Sequence, residues 1–194
     1  MPRPSQKNKL LEAALKTFCA NGYRSCTIED IAQSAGVVKG SFYNHFKSKE
    51  ALAVEVIKLY MQSTVLPLLT LEGPPSALKR LRTHFERVSE VQKEIHFQGC
   101  LVANFSGEVS NLGDEIRSAL TDGLDLWIRA VAEVVRQAQV EGEVGKKINA
   151  DIIARCLVNA CEGALMRARV IRNAQPFEDF LDVTFKGILT PRTL

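Results

Sequence analysis

The chain has 194 residues, of which 46% are hydrophobic and 24% charged, so it is neither a disordered chain nor too short for a substantial core. No apolar run reaches the roughly 18 to 20 residues that cross a bilayer, and the first residues lack an apolar signal segment, so we expect a cytoplasmic protein. The net charge is +3, but residues 1–60 carry nine Lys and Arg against five acids. We therefore expect a polyanion to bind the N-terminal part.

The cysteines indicate neither cross-linking nor metal binding. Their number is five, which is odd, and they lack a close metal-ligand spacing. We expect reduced thiols, no disulfide framework, no metal site and no cofactor. The five residues are Cys19, Cys26, Cys100, Cys156 and Cys161.

The first predicted helix runs from about residue 7 to residue 21 and ends at Gly22. Its apolar face consists of Leu10, Leu11, Ala14, Leu15 and Phe18. The basic segment at residues 3–9 either reaches a DNA minor groove or forms a solvated chain end.

Two short helices separated by a tight turn are predicted to follow. Thr27 and Asp30 form a variant of the capping box, and apolar residues then recur at helical spacing as far as Ala35. Gly36 can take the positive φ of a tight turn, and a second helix is predicted to begin near Val38. This is the outline of a helix-turn-helix, whose second helix enters the DNA major groove.

A helical wheel of that second helix predicts which residues face DNA. Val38, Phe42 and Phe46 fall on one side and are expected to face the core. The opposite side is small and polar at its centre, which suits base edges, and phosphate-binding groups surround it. The centre contains Gly40 and Asn44 beside Ser41, and the surrounding residues are Lys39, Tyr43, His45, Lys47 and Lys49. An ordinary helical pair with a solvated basic face would give a similar pattern.

Three stretches of this region closely resemble the DNA-binding domain of the tetracycline-repressor-like (TetR) family of bacterial transcription regulators. They read Ile-Ala-x-x-Ala-Gly-Val at residues 31–37, Gly-x-x-Tyr-x-His-Phe at residues 40–46 and Ser-Lys-Glu at residues 48–50. The resemblance implies phosphate contacts from Thr27, Lys39, Tyr43, His45 and Lys49, and positions nearest to bases for Gly40, Ser41 and Asn44. The family often has Ser or Thr where this chain has Val38, so a hydroxyl contact there is not implied.

The rest of the chain is predicted to be helical, without alternating strand patterns or internal repeats. A fourth helix begins after Ser48 and continues toward Pro67, before a loop at residues 73–75. Further helices are expected at about residues 78–91, 101–109, 116–138, 149–172 and 176–189, which gives an all-α fold of about nine helices. We expect a DNA-binding domain at residues 1–47 and a ligand-binding and dimerisation domain at residues 48–194, with the fourth helix as connector.

The last two predicted helices have a composition suited to contact with a second copy of the chain. One bears small side chains, which let helices approach closely, and the other bears an apolar stripe. The predicted interface residues are Cys156, Ala160, Gly163, Ala164, Phe177, Phe180, Leu181 and Phe185. Packing within one chain would give the same pattern, but two-fold DNA readers usually need a dimer, and the TetR resemblance implies one.

An effector site is expected in the middle of the second domain, where aromatic residues can line an apolar cavity. The candidate ligand-binding residues are His84, Phe85, Phe97, Cys100, Asn104, Phe105 and Trp127. The aromatic residues among them are equally typical of an ordinary core. The pattern Phe-x-Gly-Cys-Leu-x-x-Asn at residues 97–104 also resembles TetR regulators of the N-ethylmaleimide-repressor type, in which the matching cysteine can be the sensor.

These patterns predict a homodimeric repressor that binds double-stranded DNA at a pseudo-palindromic operator and is released by a small-molecule inducer. One alternative is a thiol-based redox or electrophile switch, because Cys100 follows a glycine at a predicted helix start, which favours the thiolate. A remote alternative is an enzyme that uses Cys100 with a histidine base. No orienting group or oxyanion element is identifiable for it, so we expect no catalytic residues.

Overall fold

The computed structural model of the chain describes residues 5–66, 69, 76–108 and 113–189. In these ranges every regular element is helical, which confirms the predicted all-α fold. The helices are α1 (Gln6–Asn21), α2 (Ile28–Ser34), α3 (Lys39–Tyr43), α4 (Lys49–Tyr60), α5 (Ala77–Glu94), α6 (Leu101–Ser106), α7 (Asp114–Val140), α8 (Ala150–Ile171) and α9 (Gln175–Val183). Two short π-helices, Met61–Val65 and Thr184–Ile188, directly follow α4 and α9.

The helix ends follow local rules that the sequence already contains. Gly22 ends α1 with a φ of 79°, and its N–H bonds to the carbonyl of Phe18. Gly36 has a φ of 64° in the turn after α2. The hydroxyl of Ser48 accepts the N–H of Ala51 at 3.0 Å and so caps α4. These three boundaries are as predicted.

Two other predictions agree with the structure only in part. The basic segment at residues 3–9 is only partly a chain end, because α1 already begins at Gln6, and Lys7 pairs with Glu55 at 2.7 Å. The α-helical part of α4 ends at Tyr60 and gives way to a π-helix. The predicted end near Pro67 and the loop at residues 73–75 lie outside the described residues, as does residue 109, the expected end of the sixth helix.

The chain forms two compact units. The first contains Met1–Gln62 and Cys100–Gly123, and the second contains Ser63–Gly99 and Leu124–Leu194. In the first unit α1 packs against α2, α3, α4 and α6, so the helix-turn-helix has a helical brace. Its core is apolar and includes Leu10, Phe18, Ile31, Phe42, Leu52 and Ile57.

In the second unit α9 packs against α8 and α5. Phe85 of α5 is fully buried and is surrounded by other rings, with its centroid 5.1 Å from that of Phe180 and 6.4 Å from those of Trp127 and Phe185. The rings of Phe85 and Phe180 meet edge to face, and contacts of this kind add to the stability that area burial provides. Among the described helices, none has a stretch long and apolar enough to span a bilayer.

Candidate functional site

The helix-turn-helix begins with a complete capping box. The hydroxyl of Thr27 accepts the N–H of Asp30 at 3.1 Å, and the carboxylate of Asp30 accepts the N–H of Thr27 at 2.9 Å. The hydroxyl of Thr27 also donates to Oδ2 of Asp30 at 2.7 Å, and this bond together with the one from the Thr27 N–H lowers the pKa of Asp30, so its charged form is favoured at the positive end of α2. The capping box therefore fixes where α2 starts.

Helix α3 is five residues long, and the residue at its start is not placed as the helical wheel predicts. Phe42 and Phe46 are buried as expected, but Val38 is 76% exposed. Val38 is the N-cap and has an extended backbone with a ψ of 146°, so a 100° helical step does not apply to it. The prediction that Val38 faces the core is therefore wrong, and an apolar side chain stands at the exposed entry of α3.

Most of the residues predicted to contact DNA are on the surface. Gly40, Tyr43, Asn44, His45 and Lys47 are all exposed. Asn44 follows the last residue of α3 as its C-cap, and Gly40 has no atoms of other residues near the position that a Cβ would occupy. This surface can approach base edges closely.

Lys39, the first residue of α3, is exposed and forms an ion pair with Glu29 of α2. The pair raises the pKa of Lys39 and lowers the pKa of Glu29 through the hydrogen bond and charge attraction between them. Both side chains are more than half exposed, so the pair contributes little to folding. A DNA phosphate would compete with Glu29 for this ammonium group.

Ser41 does not lie on the surface that the helical wheel gave it. Its side chain is buried, and its hydroxyl donates to Oε1 of Gln6 in α1 at 2.6 Å. A direct base contact from this hydroxyl conflicts with that position, because the group is used to hold α3 against α1. Ser41 is thus corrected from a base-facing residue to a packing residue.

Lys49 also points inward. Its ammonium group donates to the carbonyls of Tyr23 at 2.9 Å and Cys26 at 2.7 Å, and lies 4.2 Å from the centre of the Tyr23 ring. Burial lowers the pKa of Lys49. The predicted phosphate contact is replaced here by hydrogen bonds within the chain.

Two family models match the chain over most of its length. Residues 10–56 match the model described as "Bacterial regulatory proteins, tetR family", and residues 77–184 match the one described as "Tetracyclin repressor-like, C-terminal domain". The chain belongs to the TetR family. Members of this family are DNA-binding transcriptional regulators that respond to ligands, which confirms the function predicted from the helix-turn-helix.

Similar TetR-family proteins cover nearly all of the chain. The "HTH-type transcriptional repressor DhaR" of Mycobacterium sp. (strain GP1) is 32% identical over 97% of this chain and 95% of its own length. The "Transcriptional regulator AcuR" of Cereibacter sphaeroides is 33% identical over 88% of this chain and 80% of its own length. Both are named as regulators, which agrees with a role other than catalysis.

Solved TetR-family structures show the same fold. The "regulatory protein TetR from Rhodobacter sphaeroides" superposes with a TM-score of 0.86 at 32% identity, covering 92% of this chain and 95% of the other. The reduced form of E. coli NemR superposes with a TM-score of 0.86 at 25% identity, covering 97% of this chain and 100% of the other.

The second unit of this TetR-family chain brings together three of the predicted ligand-binding residues. The indole N–H of Trp127 donates to Nε2 of His84 at 3.0 Å, and Phe85 contacts both rings. His84 is 1% exposed, and burial lowers its pKa from 6.5 to about 4. Its other ring nitrogen, Nδ1, is buried without a hydrogen-bond partner among the described residues.

Three other residues of the predicted ligand set belong to the first unit. The side chain of Asn104 donates to the carbonyl of Cys19 at 3.1 Å, and the ring of Phe105 lies 5.4 Å from that of Phe18. These contacts hold α6 against α1, so the sequence-based grouping of Asn104 and Phe105 with the effector site is corrected. Phe97, in the second unit, is half-buried with a φ of 57°.

Cys100 is the third of these residues, and it is only 4% exposed. It is the N-cap of the six-residue α6, without a side-chain capping bond, and its sulfur accepts the hydroxyl of Tyr60 at 3.2 Å. A redox or electrophile sensor needs an accessible thiolate, so this burial does not favour the sensor alternative.

The predicted dimer residues divide into two groups. Cys156, Ala160 and Gly163 are exposed along α8. Phe177 and Phe185, in contrast, are buried within the single chain and form ring contacts with Phe180 and Phe85, so they are corrected to core residues. The aromatic side of α9 is therefore the side that packs inside the chain.

An exposed apolar surface remains between α8 and α9. It includes a groove of about 420 Å³, lined on one side by Ala160, Gly163 and Ala164 and on the other by Phe180, Val183 and Ile188. Val183 and Ile188 are 60% and 59% exposed. Val183 ends α9 and Ile188 ends the π-helix that follows it, and neither is among the predicted interface residues.

Proposed function

We propose that the protein is a homodimeric repressor that binds a pseudo-palindromic operator through α3 of each subunit and is released by a small-molecule inducer. The observation that carries the proposal is the exposed polar surface around Gly40 and Asn44, which is bordered by Lys39 and Lys47 and braced from behind by α1. Asn44 has the bidentate geometry that suits adenine, while the lysines suit phosphates. A repressor role also agrees with the name of the similar protein DhaR.

In this proposal, the two parts of the chain have different functions. Residues 1–47 bind DNA, residues 48–194 bind the inducer and dimerise, and α4 connects the two functions. The inducer shifts the protein toward a state in which the two copies of α3 no longer match the operator half-sites. Such a protein acts in the cytoplasm on chromosomal DNA and needs neither a cofactor nor catalytic residues.

The DNA-binding part of the proposal is tested by selecting duplexes from a random library with the purified protein. Asn44→Ala should relax the base preference at one position of each half-site, whereas Lys47→Ala should weaken binding to all sequences. Loss of one lysine in each subunit should lower the salt slope of binding by about two. The exposed Lys146 is the matched control, and Lys146→Ala should leave both properties unchanged. Equal effects of Lys47→Ala and Lys146→Ala would contradict the proposed surface.

For the inducer we propose a site around His84, Phe85 and Trp127. An indole N–H can only donate, so Nε2 of His84 must accept, and the proton of the neutral ring is on Nδ1. A buried N–H donor without a partner is costly, so it favours a ligand that brings a hydrogen-bond acceptor into an apolar site. Small apolar molecules with a carbonyl or carboxylate group fit this chemistry.

The inducer site has a direct spectroscopic test, because Trp127 is the single tryptophan of the sequence. A panel of small carbonyl and carboxylate compounds should contain members that change the Trp127 fluorescence and release the selected duplex. His84→Phe removes the donor while keeping an aromatic ring, and it should weaken those compounds more than hydrocarbon analogues of the same size. Equal weakening of both series would contradict the acceptor chemistry.

A further inference from the structure

The connection between α1 and α2 is held by a carboxylate from a distant part of the chain. Oε1 of Glu108 accepts the backbone N–H of Tyr23 at 3.0 Å, and Oε2 accepts the backbone N–H of Arg24 at 2.9 Å. Two consecutive backbone N–H groups thus bind the two oxygens of one carboxylate. Charge-assisted hydrogen bonds of this kind are stronger than those between neutral groups.

Gly22 lets the carboxylate come this close. A Cβ at Gly22 would lie 2.3 Å from Oε1 of Glu108, well inside contact distance. Its φ of 79° also belongs to the region that favours glycine. The backbone at this turn is therefore shaped around the Glu108 carboxylate as well as around the end of α1.

The acceptors of the same connection are bound from the other side. The carbonyls of Tyr23 and Cys26 receive the ammonium group of Lys49, and the thiol of Cys26 donates to the carbonyl of Gly22 at 3.0 Å. Glu108 and Lys49 therefore bind complementary backbone groups of residues 22–26. Thr27, which caps α2, is the next residue along the chain.

Helix α6, which precedes Glu108, packs against α1. Phe105 contacts the rings of Phe18 and Tyr23, with centroids 5.4 and 5.6 Å away, and Asn104 donates to the carbonyl of Cys19. Glu108 follows two residues after the end of α6, and its own N–H bonds to the carbonyl of Phe105 at 2.9 Å. The carboxylate is thus positioned by packing on the same part of α1.

We propose that Glu108 is a positioning residue for DNA binding, whose carboxylate fixes the α1–α2 connection and with it the start of α2. Its role is separate from the base and phosphate contacts, because it binds the backbone behind the helix-turn-helix. A change in the segment that carries Glu108 alters operator binding without altering any residue of α3. Loss of the two hydrogen bonds lets the connection move and weakens binding to the operator.

The experiment compares Glu108→Ala, which removes both acceptors, with Glu108→Gln, which keeps one acceptor oxygen. Amide exchange of Tyr23 and Arg24, followed by NMR on the full-length protein, should be about tenfold faster in Glu108→Ala, in keeping with the loss of hydrogen bonds to a charged group. Affinity for a duplex selected by the wild-type protein should fall about fivefold to tenfold, with Glu108→Gln between the two.

Glu12→Gln is the matched control, because Glu12 is exposed on α1 and its change removes the same charge from the same unit. It should leave the exchange of Tyr23 and Arg24 and the affinity unchanged. All affinities are measured well below the unfolding midpoint, where circular dichroism shows a fully folded protein. The milder Glu108→Gln serves for this comparison if Glu108→Ala does not fold.

Three results would overturn the proposal. They are unchanged amide exchange in a folded Glu108 variant, an affinity loss that only follows the unfolded fraction, and an equal loss in Glu12→Gln. Failure of the wild-type protein to select any duplex would instead refute the proposed function. The two failures are therefore distinguishable.

Discussion

His84 is a buried histidine whose protonation is linked to folding. Burial lowers its pKa to about 4 in the folded chain, against 6.5 for an ordinary histidine. Between these two values the unfolded chain binds a proton that the folded chain does not. The free energy of unfolding therefore falls as the pH is lowered below about 6.5, and this loss is complete near pH 4.

We expect the wild-type protein to lose about 2 kcal/mol of stability through His84 between pH 7 and pH 5, since each pKa unit corresponds to about 1.4 kcal/mol. Urea unfolding followed by Trp127 fluorescence measures this loss. His84→Gln should flatten the pH dependence by that amount. A pH dependence that His84→Gln leaves intact would show that another group is responsible.

Lys49 and Lys47 stand two residues apart but have different surroundings, so their substitutions should have different effects. Lys49→Met removes the donor from the carbonyls of Tyr23 and Cys26 and should cost about 1 kcal/mol of stability. Lys47→Met, at an exposed position, should leave stability unchanged but reduce the salt slope of DNA binding. Thermal unfolding and DNA titrations at several salt concentrations separate the two. An unaltered unfolding midpoint in Lys49→Met would contradict its structural role.

At the scale of elements, the sequence predicted the helix-turn-helix because its signals are local. The capping box at Thr27, the turn at Gly36 and the cap at Ser48 each depend on residues within three positions of one another. Side-chain directions on α3 were less predictable. The hydroxyl of Ser41 is turned inward by Gln6, which is 35 residues away, and no periodicity encodes such a partner.

The contact made by Glu108 could be predicted from the sequence even less than that of Ser41. Glu108 is separated by 85 residues from Tyr23 and by 84 from Arg24, whose N–H groups it accepts, and a single carboxylate after a short helix has no distinctive sequence pattern. The prediction that Phe177 and Phe185 lie at the dimer interface was wrong for a different reason. The apolar stripe of an amphipathic helix marks the face that packs inward, while a subunit contact needs apolar residues left exposed on another face. Val183 and Ile188 are such exposed residues.

Two substitutions in the exposed groove between α8 and α9 test the prediction that the protein is a dimer. Val183→Asp places a charge on this apolar surface, and Gly163→Leu fills the groove where the small residues of α8 line it. Both should shift the protein from dimer to monomer in gel filtration with light scattering. The aspartate would be a buried charge without a partner, and the leucine would prevent the close approach that small residues allow. Val140→Asp is the control, since Val140 is also an exposed valine but lies on α7. A dimer that survives Val183→Asp and Gly163→Leu would place the interface elsewhere.

At the scale of the whole molecule, the charge of the chain and its proposed symmetry together determine how it binds DNA. Residues 1–60 carry the excess of positive charge, whereas the remainder of the chain is nearly balanced. Each subunit therefore brings one basic surface, and a dimer brings two at a fixed separation. Operator binding then depends on the distance and the rotation between half-sites.

Changing the spacing between the half-sites of a selected operator tests this arrangement. Insertion of five base pairs rotates one half-site by about half a turn of DNA, so only one α3 of the dimer can reach its site. Affinity should fall to that of a duplex with a single half-site, and the salt slope should fall to about half, because half of the phosphate contacts are lost. A dimer-disrupting variant such as Val183→Asp should bind the original and the lengthened duplex equally weakly. Equal affinity of the wild-type protein for both spacings would mean that the subunits bind independently, and the two-fold model would then be wrong.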